Sequence, residues 1–199
     1  MNKLLIATTN LGKVLEYRVI LKDLPIELLT LKDLNIKGSV EENGKTFKEN
    51  AVKKVEFYSK LTNLPAIAED SGLEIDYLNG EPGIKSRRWP GYEASDEELI
   101  GMTLEKLKGV PMEKRGAQLR VVIALAIDGS ISTFDGILRG VIAEKPIAKI
   151  IPGYPFRTLF YLPAIKKVLG ELTMEEEAEI AHRKQAVEKA LSIIKKYLC

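Results

Sequence analysis

The stretch Pro65-Ala66-Ile67-Ala68-Glu69-Asp70-Ser71-Gly72-Leu73 constrains this chain more than any other. An apolar segment that reads as a buried strand runs directly into two adjacent carboxylates. Buried carboxylates are costly unless something cationic meets them. The available solutions are a bound metal, an arginine or lysine, or a proton shared in catalysis. Three other clusters could complete a site for a phosphorylated small molecule: Thr8-Thr9-Asn10-Leu11-Gly12-Lys13, the segment from Glu41 to Lys54, and Ala181-His182-Arg183.

Bulk properties narrow the classes. The chain of 199 residues is 45% hydrophobic and 29% charged, which suits a single globular domain over residues 1–199 with a real core. A formal net charge of +2 argues against nucleic acid as the main partner, so any basic site must be local. The one cysteine, Cys199, excludes an intrachain disulfide and a cysteine-based metal site. The apolar run Leu4 to Ala7 is too short for a secretory core, and Val121 to Ile127 is too short to span a bilayer. A cytoplasmic protein without a membrane partner is the expectation.

Periodicity predicts a strand over 3–8, a helix over 11–21 with apolar positions at 11, 14, 15, 19 and 20, and a strand over 26–31. Thr46-Phe47-Lys48-Glu49 reads as a capping box opening a helix whose buried face is Phe47, Ala51, Val55 and Tyr58. Segments 65–68 and 73–77 read as two strands flanking the acidic pair. Ser95-Asp96-Glu97-Glu98 opens another helix, ending near Gly109. Two or three strands follow over 118–144, broken at Asp128-Gly129, a strong hairpin signal, and at Gly136. Thr173 caps one long helix running to about Tyr197. Helices among both hairpins and crossovers imply an α/β protein with a mixed sheet.

Each motif also has a plainer reading. Thr8 to Lys13 lies where a strand turns into a helix, so backbone N–H groups, the helix dipole and Lys13 favour an anion. It is no Walker A loop, since Ala7 stands at the first glycine position, and it reads equally as an N-cap beside an exposed lysine. Glu49 and Lys53 suit a solvated ion pair, whereas Asn50 and Lys54 border the buried face and could point into a cleft. Glu41, Glu42, Glu69 and Asp70 are candidate ligands for a hard cation, which takes one or two carboxylates plus substrate phosphates. Alone, they read as a solvated acidic loop and a cap. His182-Arg183 on a polar helix face reads by itself as surface. Gly136 and Gly140 in strand-like sequence read as tight turning or close packing.

In combination, the segments resemble the inosine triphosphatase-like nucleoside triphosphate pyrophosphatases. Six pieces stand in family order: Thr8-Thr9-Asn10-x-Gly12-Lys13-x-x-Glu16; Glu41-Glu42-x-Gly44-x-Thr46-Phe47-x-Glu49-Asn50-Ala51-x-x-Lys54; Pro65 to Leu73; Pro82-Gly83-Ile84-x-Ser86-x-Arg88; Phe134-x-Gly136-x-x-x-Gly140-x-Ile142; and His182-Arg183-x-x-Ala186. The resemblance implies an elongated α/β fold in which a long mixed sheet and flanking helices form two lobes around a central cleft. It also implies a homodimer and Mg2+-dependent hydrolysis of nonstandard purine triphosphates (ITP, dITP, XTP) to monophosphate and pyrophosphate. On it, Asp70 is the catalytic base, and Glu41 with Asp70 holds Mg2+. Thr8, Thr9, Asn10, Lys13, Lys54, Ser71, Tyr154, Phe156, Arg157, His182 and Arg183 contact substrate.

The match departs from the family in one place. Relatives carry an aromatic-glycine-aromatic-aspartate-proline run that holds the purine. Here Gly153-Tyr154-Pro155-Phe156-Arg157-Thr158 puts Pro155 at the glycine, Arg157 at the aspartate and Thr158 at the proline. Glu177 replaces a lysine and Ala181 a serine. The two opposite charge reversals predict an inverted Arg157–Glu177 ion pair or an inverted pattern offered to the base, although Arg157 could instead reach a phosphate. Tyr154 and Phe156 keep aromatic surface for stacking. The alternatives are a pyrophosphatase with altered base preference and a non-catalytic nucleotide-binding protein on the same fold. Nucleic-acid binding through Arg87-Arg88 is a third class.

Overall fold

Short apolar strands alternating with amphipathic helices give β1 (Asn2–Ile6), α1 (Leu11–Ile20), β2 (Ile26–Thr30), α2 (Phe47–Thr62) and β3 (Ala66–Ile75). There follow α3 (Asp96–Lys106), β4 (Gly116–Ile127), β5 (Ser130–Ile142), β6 (Phe160–Leu162), β7 (Lys167–Val168), α4 (Met174–Ile180) and α5 (His182–Leu198). This computed structural model describes residues 2–38 and 40–199. The strands form one seven-stranded sheet in the order β2-β1-β3-β4-β5-β6-β7. The sheet is mixed: β1 runs parallel to β2 and β3, while β6 runs antiparallel to β5 and β7. The expected mixed α/β sheet with flanking helices is what forms.

By contacts the chain falls into two units, Met1–Asp70 with Val121–Gly136 and Ala178–Cys199, and Ser71–Arg120 with Ile137–Glu177. In the first, Leu4, Ile6, Ile67, Val121, Ile123 and Leu125 from the strands meet Val14 and Tyr17 of α1 and Ala186, Val187, Ala190 and Ile194 of α5. Residues 121–127 of β4 are all buried, as a strand covered on both faces should be. In the second, buried Arg115 caps the chain's own carbonyls, donating to Val110 and Ala143 at 3.0 Å and to Leu107 at 2.7 Å. There too Asp96 accepts the backbone N–H of Gly153 at 2.7 Å, fixing the start of the 153–158 loop.

Four expectations change. The acidic pair does not separate two strands: β3 runs unbroken through Asp70, Ser71 and Gly72. Gly136 does not break β5, and only the Asp128-Gly129 turn, with both residues at positive φ, divides the segment. The C-terminal helix is two helices, because Ala181 adopts extended backbone (φ −61°, ψ 139°) and α5 restarts at His182. In α1 the buried face is Val14, Tyr17 and Leu21, whereas Leu11 and Leu15 are 70% and 48% exposed. The i, i+3, i+7 spacing around a tyrosine outweighs the larger number of leucines on the other face.

Candidate active site

The register of the parallel strands sets the site. Ile6 of β1 pairs with Ile67 of β3, so Glu69 and Asp70 extend past the pairing just where β1 gives way to the turn at Thr8. Because successive side chains in a strand point to opposite faces, one continuous β3 sends Glu69 and Asp70 in different directions. Their partners differ accordingly: Glu69 meets α1 and α5, Asp70 meets α2.

Asp70 is buried, and its Oδ2 accepts a 2.8 Å bond from the Asn50 amide. Lys54, one turn later on α2, places Nζ 3.7 Å from Asp70 Oδ1 and 3.1 Å from Glu42 Oε1. Asn50 also accepts the Gly44 N–H at 2.8 Å and so ties the acidic loop to the strand. That approach needs glycine, since a Cβ at position 44 would overlap Asn50 Oδ1. Thr46 caps α2 by accepting from the Glu49 N–H, but Glu49 reciprocates one residue earlier, at Lys45. Burial pushes the Asp70 carboxyl above the ordinary aspartate value, with Lys54 and Asn50 opposing and the Glu42 charge adding to the rise.

Glu69 lies in a different environment. Arg183 donates to both its oxygens, Nε to Oε2 at 2.5 Å and Nη2 to Oε1 at 2.8 Å, while its remaining arm pairs with Glu16. The Tyr17 hydroxyl adds a 2.9 Å bond to Oε2, and Lys13 Nζ lies 3.0 Å from Oε1. Burial opposes ionisation of Glu69, yet the charges of Arg183 and Lys13 outweigh it and hold the carboxyl well below the usual range. Burial and the Glu69 charge together push the Tyr17 phenol well up.

At the β1–α1 turn, Asn10 accepts from the N–H groups of Gly12 and Lys13 at 2.9 and 3.3 Å, and Thr8 Oγ1 accepts from the Asn10 N–H. The amides expected to meet an anion are therefore capped from within, and the Lys13 ammonium is the charge this turn offers. Thr9 is exposed and Ser71 half-buried. Glu42 rather than Glu41 lies against Lys54, and Glu41 is exposed.

His182 and Arg183 are both buried, although a His-Arg pair on a polar helix face reads by itself as surface. Gly136 makes this packing possible, because a Cβ there would collide with the His182 carbonyl oxygen. Glu16 and Tyr17 had no assigned role in the sequence; the place of Glu16 in the first of the six pieces was its signal, and its partner lies 167 residues away.

In the second unit, Arg157 and Glu177 form the expected inverted ion pair, both side chains buried. The Arg157 guanidinium also sits 5.2 Å from the centre of the Tyr154 ring. Tyr154 is half-buried, but Phe156 is buried and does not offer the open ring face expected of it.

The donor set around Lys54 suits a hard cation. Glu42 and Asp70 converge on one ammonium, and among the described residues no group of three or more metal-binding side chains gathers. A hard cation takes about one or two protein carboxylates when substrate phosphates complete its shell.

Known proteins resemble this chain over nearly its whole length. The dITP/XTP pyrophosphatase of Yersinia pseudotuberculosis is 41% identical over 198 residues, 98% of this chain and 99% of that protein. The enzyme of the same name from Geobacter sulfurreducens is 41% identical over 199 residues, 100% of this chain and 97% of that one. The structure of a HAM1 protein from Coxiella burnetii superposes with a TM-score of 0.86 at 34% identity, covering 98% of this chain and 100% of the other. The profile of the Ham1 family matches residues 4–193. This chain belongs to the Ham1 family.

Proposed function

We propose that the protein is a nucleoside triphosphate pyrophosphatase that hydrolyses nonstandard purine triphosphates (dITP, XTP and ITP) to the monophosphate and pyrophosphate. The observation that carries the reading is Asp70, a buried carboxylate with a raised pKa held between an amide and an ammonium. A general base must be ionised yet ready to accept a proton, and burial tunes Asp70 that way. Lys13 and Lys54 supply positive charge for the triphosphate, with Thr8, Thr9, Asn10 and Ser71 contributing polar groups at the ends of β1 and within β3. The names of the relatives support the substrate class.

In the reaction, water attacks the α-phosphorus while Asp70 takes its proton. The bond from that phosphorus to the bridging oxygen breaks, and pyrophosphate leaves with the electron pair. Lys13 and Lys54 offset charge gathering on the phosphate oxygens. Asn50 fixes the Asp70 carboxylate so that its second oxygen can meet the water. Asp70 and the acidic loop, through Glu42 or Glu41, would hold Mg2+, which when bound neutralises phosphate charge. Base recognition falls to the 153–158 loop, where Tyr154 offers a ring beside the Arg157 guanidinium. A cytoplasmic homodimer is the assembly expected of such an enzyme. Among the described residues no helix is long and apolar enough to cross a membrane.

The test is pyrophosphate release from dITP, XTP, ITP and the standard triphosphates with Mg2+. Turnover selective for the deaminated purines supports the proposal. Binding without turnover of any of them would favour a non-catalytic nucleotide-binding protein.

A further inference from the structure

Glu69 is the acid that the proposed chemistry leaves unused, and it is among the most heavily engaged side chains in its unit. Four charged groups form a set there: Glu16 and Glu69 against Arg183 and Lys13. Arg183 serves both carboxylates, with two nitrogens on Glu69 and the third on Glu16. Lys13 differs from the other three. Its side chain is 19% exposed, whereas that of Glu69 is 1% exposed and that of Arg183 is 3% exposed. The carboxylate is thus fixed from one side by α5 and by Tyr17, while the ammonium reaches it from the open end of α1. Lys13 can leave without stranding Glu69, because the arginine fork and the Tyr17 hydroxyl stay in place.

We propose that Glu69 is a positioning residue that holds the Lys13 ammonium at the β1–α1 turn, so that an incoming polyphosphate competes with this carboxylate for the lysine. The inference rests on the triphosphate reading of the site and adds a cost to binding that the reading alone does not contain. In the unliganded protein Lys13 is pre-placed but already paired. A phosphate chain must draw it from Glu69, and Arg183 keeps that withdrawal from leaving a bare buried charge. Pairing before binding also keeps Lys13 from searching solvent, so its rotamer entropy is already spent when substrate arrives.

The experiment is calorimetric titration of inorganic pyrophosphate, with Mg2+ present, into wild type, Glu69→Gln, Glu69→Asp, Lys13→Ala and the Lys13→Ala double variants. Glu69→Gln removes the competing charge. Glu69→Asp keeps the charge for Arg183 but withdraws it from Lys13, so it preserves the buried balance if glutamine does not. Either folded variant should bind pyrophosphate roughly fivefold more tightly, the fold-change of one modest ion pair. That gain should vanish in the Lys13→Ala background, a non-additivity that a structural role for Glu69 would not produce. Unchanged or weaker affinity in the folded variants, or a gain that persists without Lys13, overturns the proposal. So does failure of both variants to fold, which would make Glu69 purely structural. Binding is read without turnover, so a flat result leaves the pyrophosphatase assignment standing, and an absence of dITP hydrolysis leaves the competition measurable.

Discussion

Glu69 and Asp70 are neighbours in one strand with separate sets of bonded partners: Glu69 is held by Arg183, Tyr17 and Lys13, Asp70 by Asn50 and Lys54. The alternation of a β-strand turns an acidic dipeptide into two different tools. One carboxylate is locked in its charged form as part of the framework. The other is kept reactive by burial beside the Lys54 ammonium.

Asp70→Asn separates function from stability. Burial raises the Asp70 pKa, so its proton is held more tightly in the folded protein than in the unfolded chain. The ionised group therefore costs stability at neutral pH, and the cost disappears as pH falls through the folded value. Removing the charge should lower turnover by about 10²–10⁴-fold while leaving the melting temperature equal or higher. A melting temperature clearly below wild type would contradict this. In wild type, turnover should fall on the acid side as Asp70 takes up its proton.

Arg183→Ala should be among the most damaging substitutions for stability. It takes the arginine away from two buried carboxylates, Glu16 and Glu69, at a cost of about 3–5 kcal/mol in urea unfolding. The depressed Glu69 pKa has its own signature. Its contribution is complete above the unfolded carboxylate value of about 4.3 and is lost as pH falls toward the folded value. Stability measured against pH should show that acid loss in wild type and a smaller one in Glu69→Gln.

The Arg157–Glu177 pair should tolerate reversal better than removal. Arg157→Ala leaves Glu177 buried without its ion-pair partner and should cost about 3–5 kcal/mol, whereas Arg157→Glu combined with Glu177→Arg should recover much of the loss. Denaturation midpoints of the two singles and the double measure this coupling. Additive losses would show that the two side chains do not act together.

Gly136→Ala tests how closely β5 packs against the start of α5. The new methyl would meet the His182 carbonyl and the Ala186 backbone nitrogen, neither of which can turn aside as a flexible side chain can. A loss of about 1–3 kcal/mol or more in thermal or urea unfolding is expected. Gly129→Ala, at positive φ in an open turn, is instead strained by backbone conformation.

Much of this was legible in the sequence for local reasons. The Asp128-Gly129 turn, the Ser95 capping box and the α2 face of Phe47, Ala51, Val55 and Tyr58 depend on residues within a few positions of one another. The inverted Arg157–Glu177 pair was legible because two unusual charges offset each other. What was hidden depends on contacts across the chain. Glu16 and Arg183 pair over 167 residues, and no periodicity reports that. Ala181 has good helix propensity, so its extended backbone at the α4–α5 junction follows from packing rather than from its own preference. The division of labour between Glu69 and Asp70 required knowing that β3 is one strand instead of two.

The most direct measurement is the rate of pyrophosphate release from dITP and XTP with Mg2+, for wild type beside Asp70→Asn. The account predicts rapid release by wild type, little from standard triphosphates, and near-complete loss in a variant that remains folded. Release by Asp70→Asn at close to the wild-type rate would contradict it.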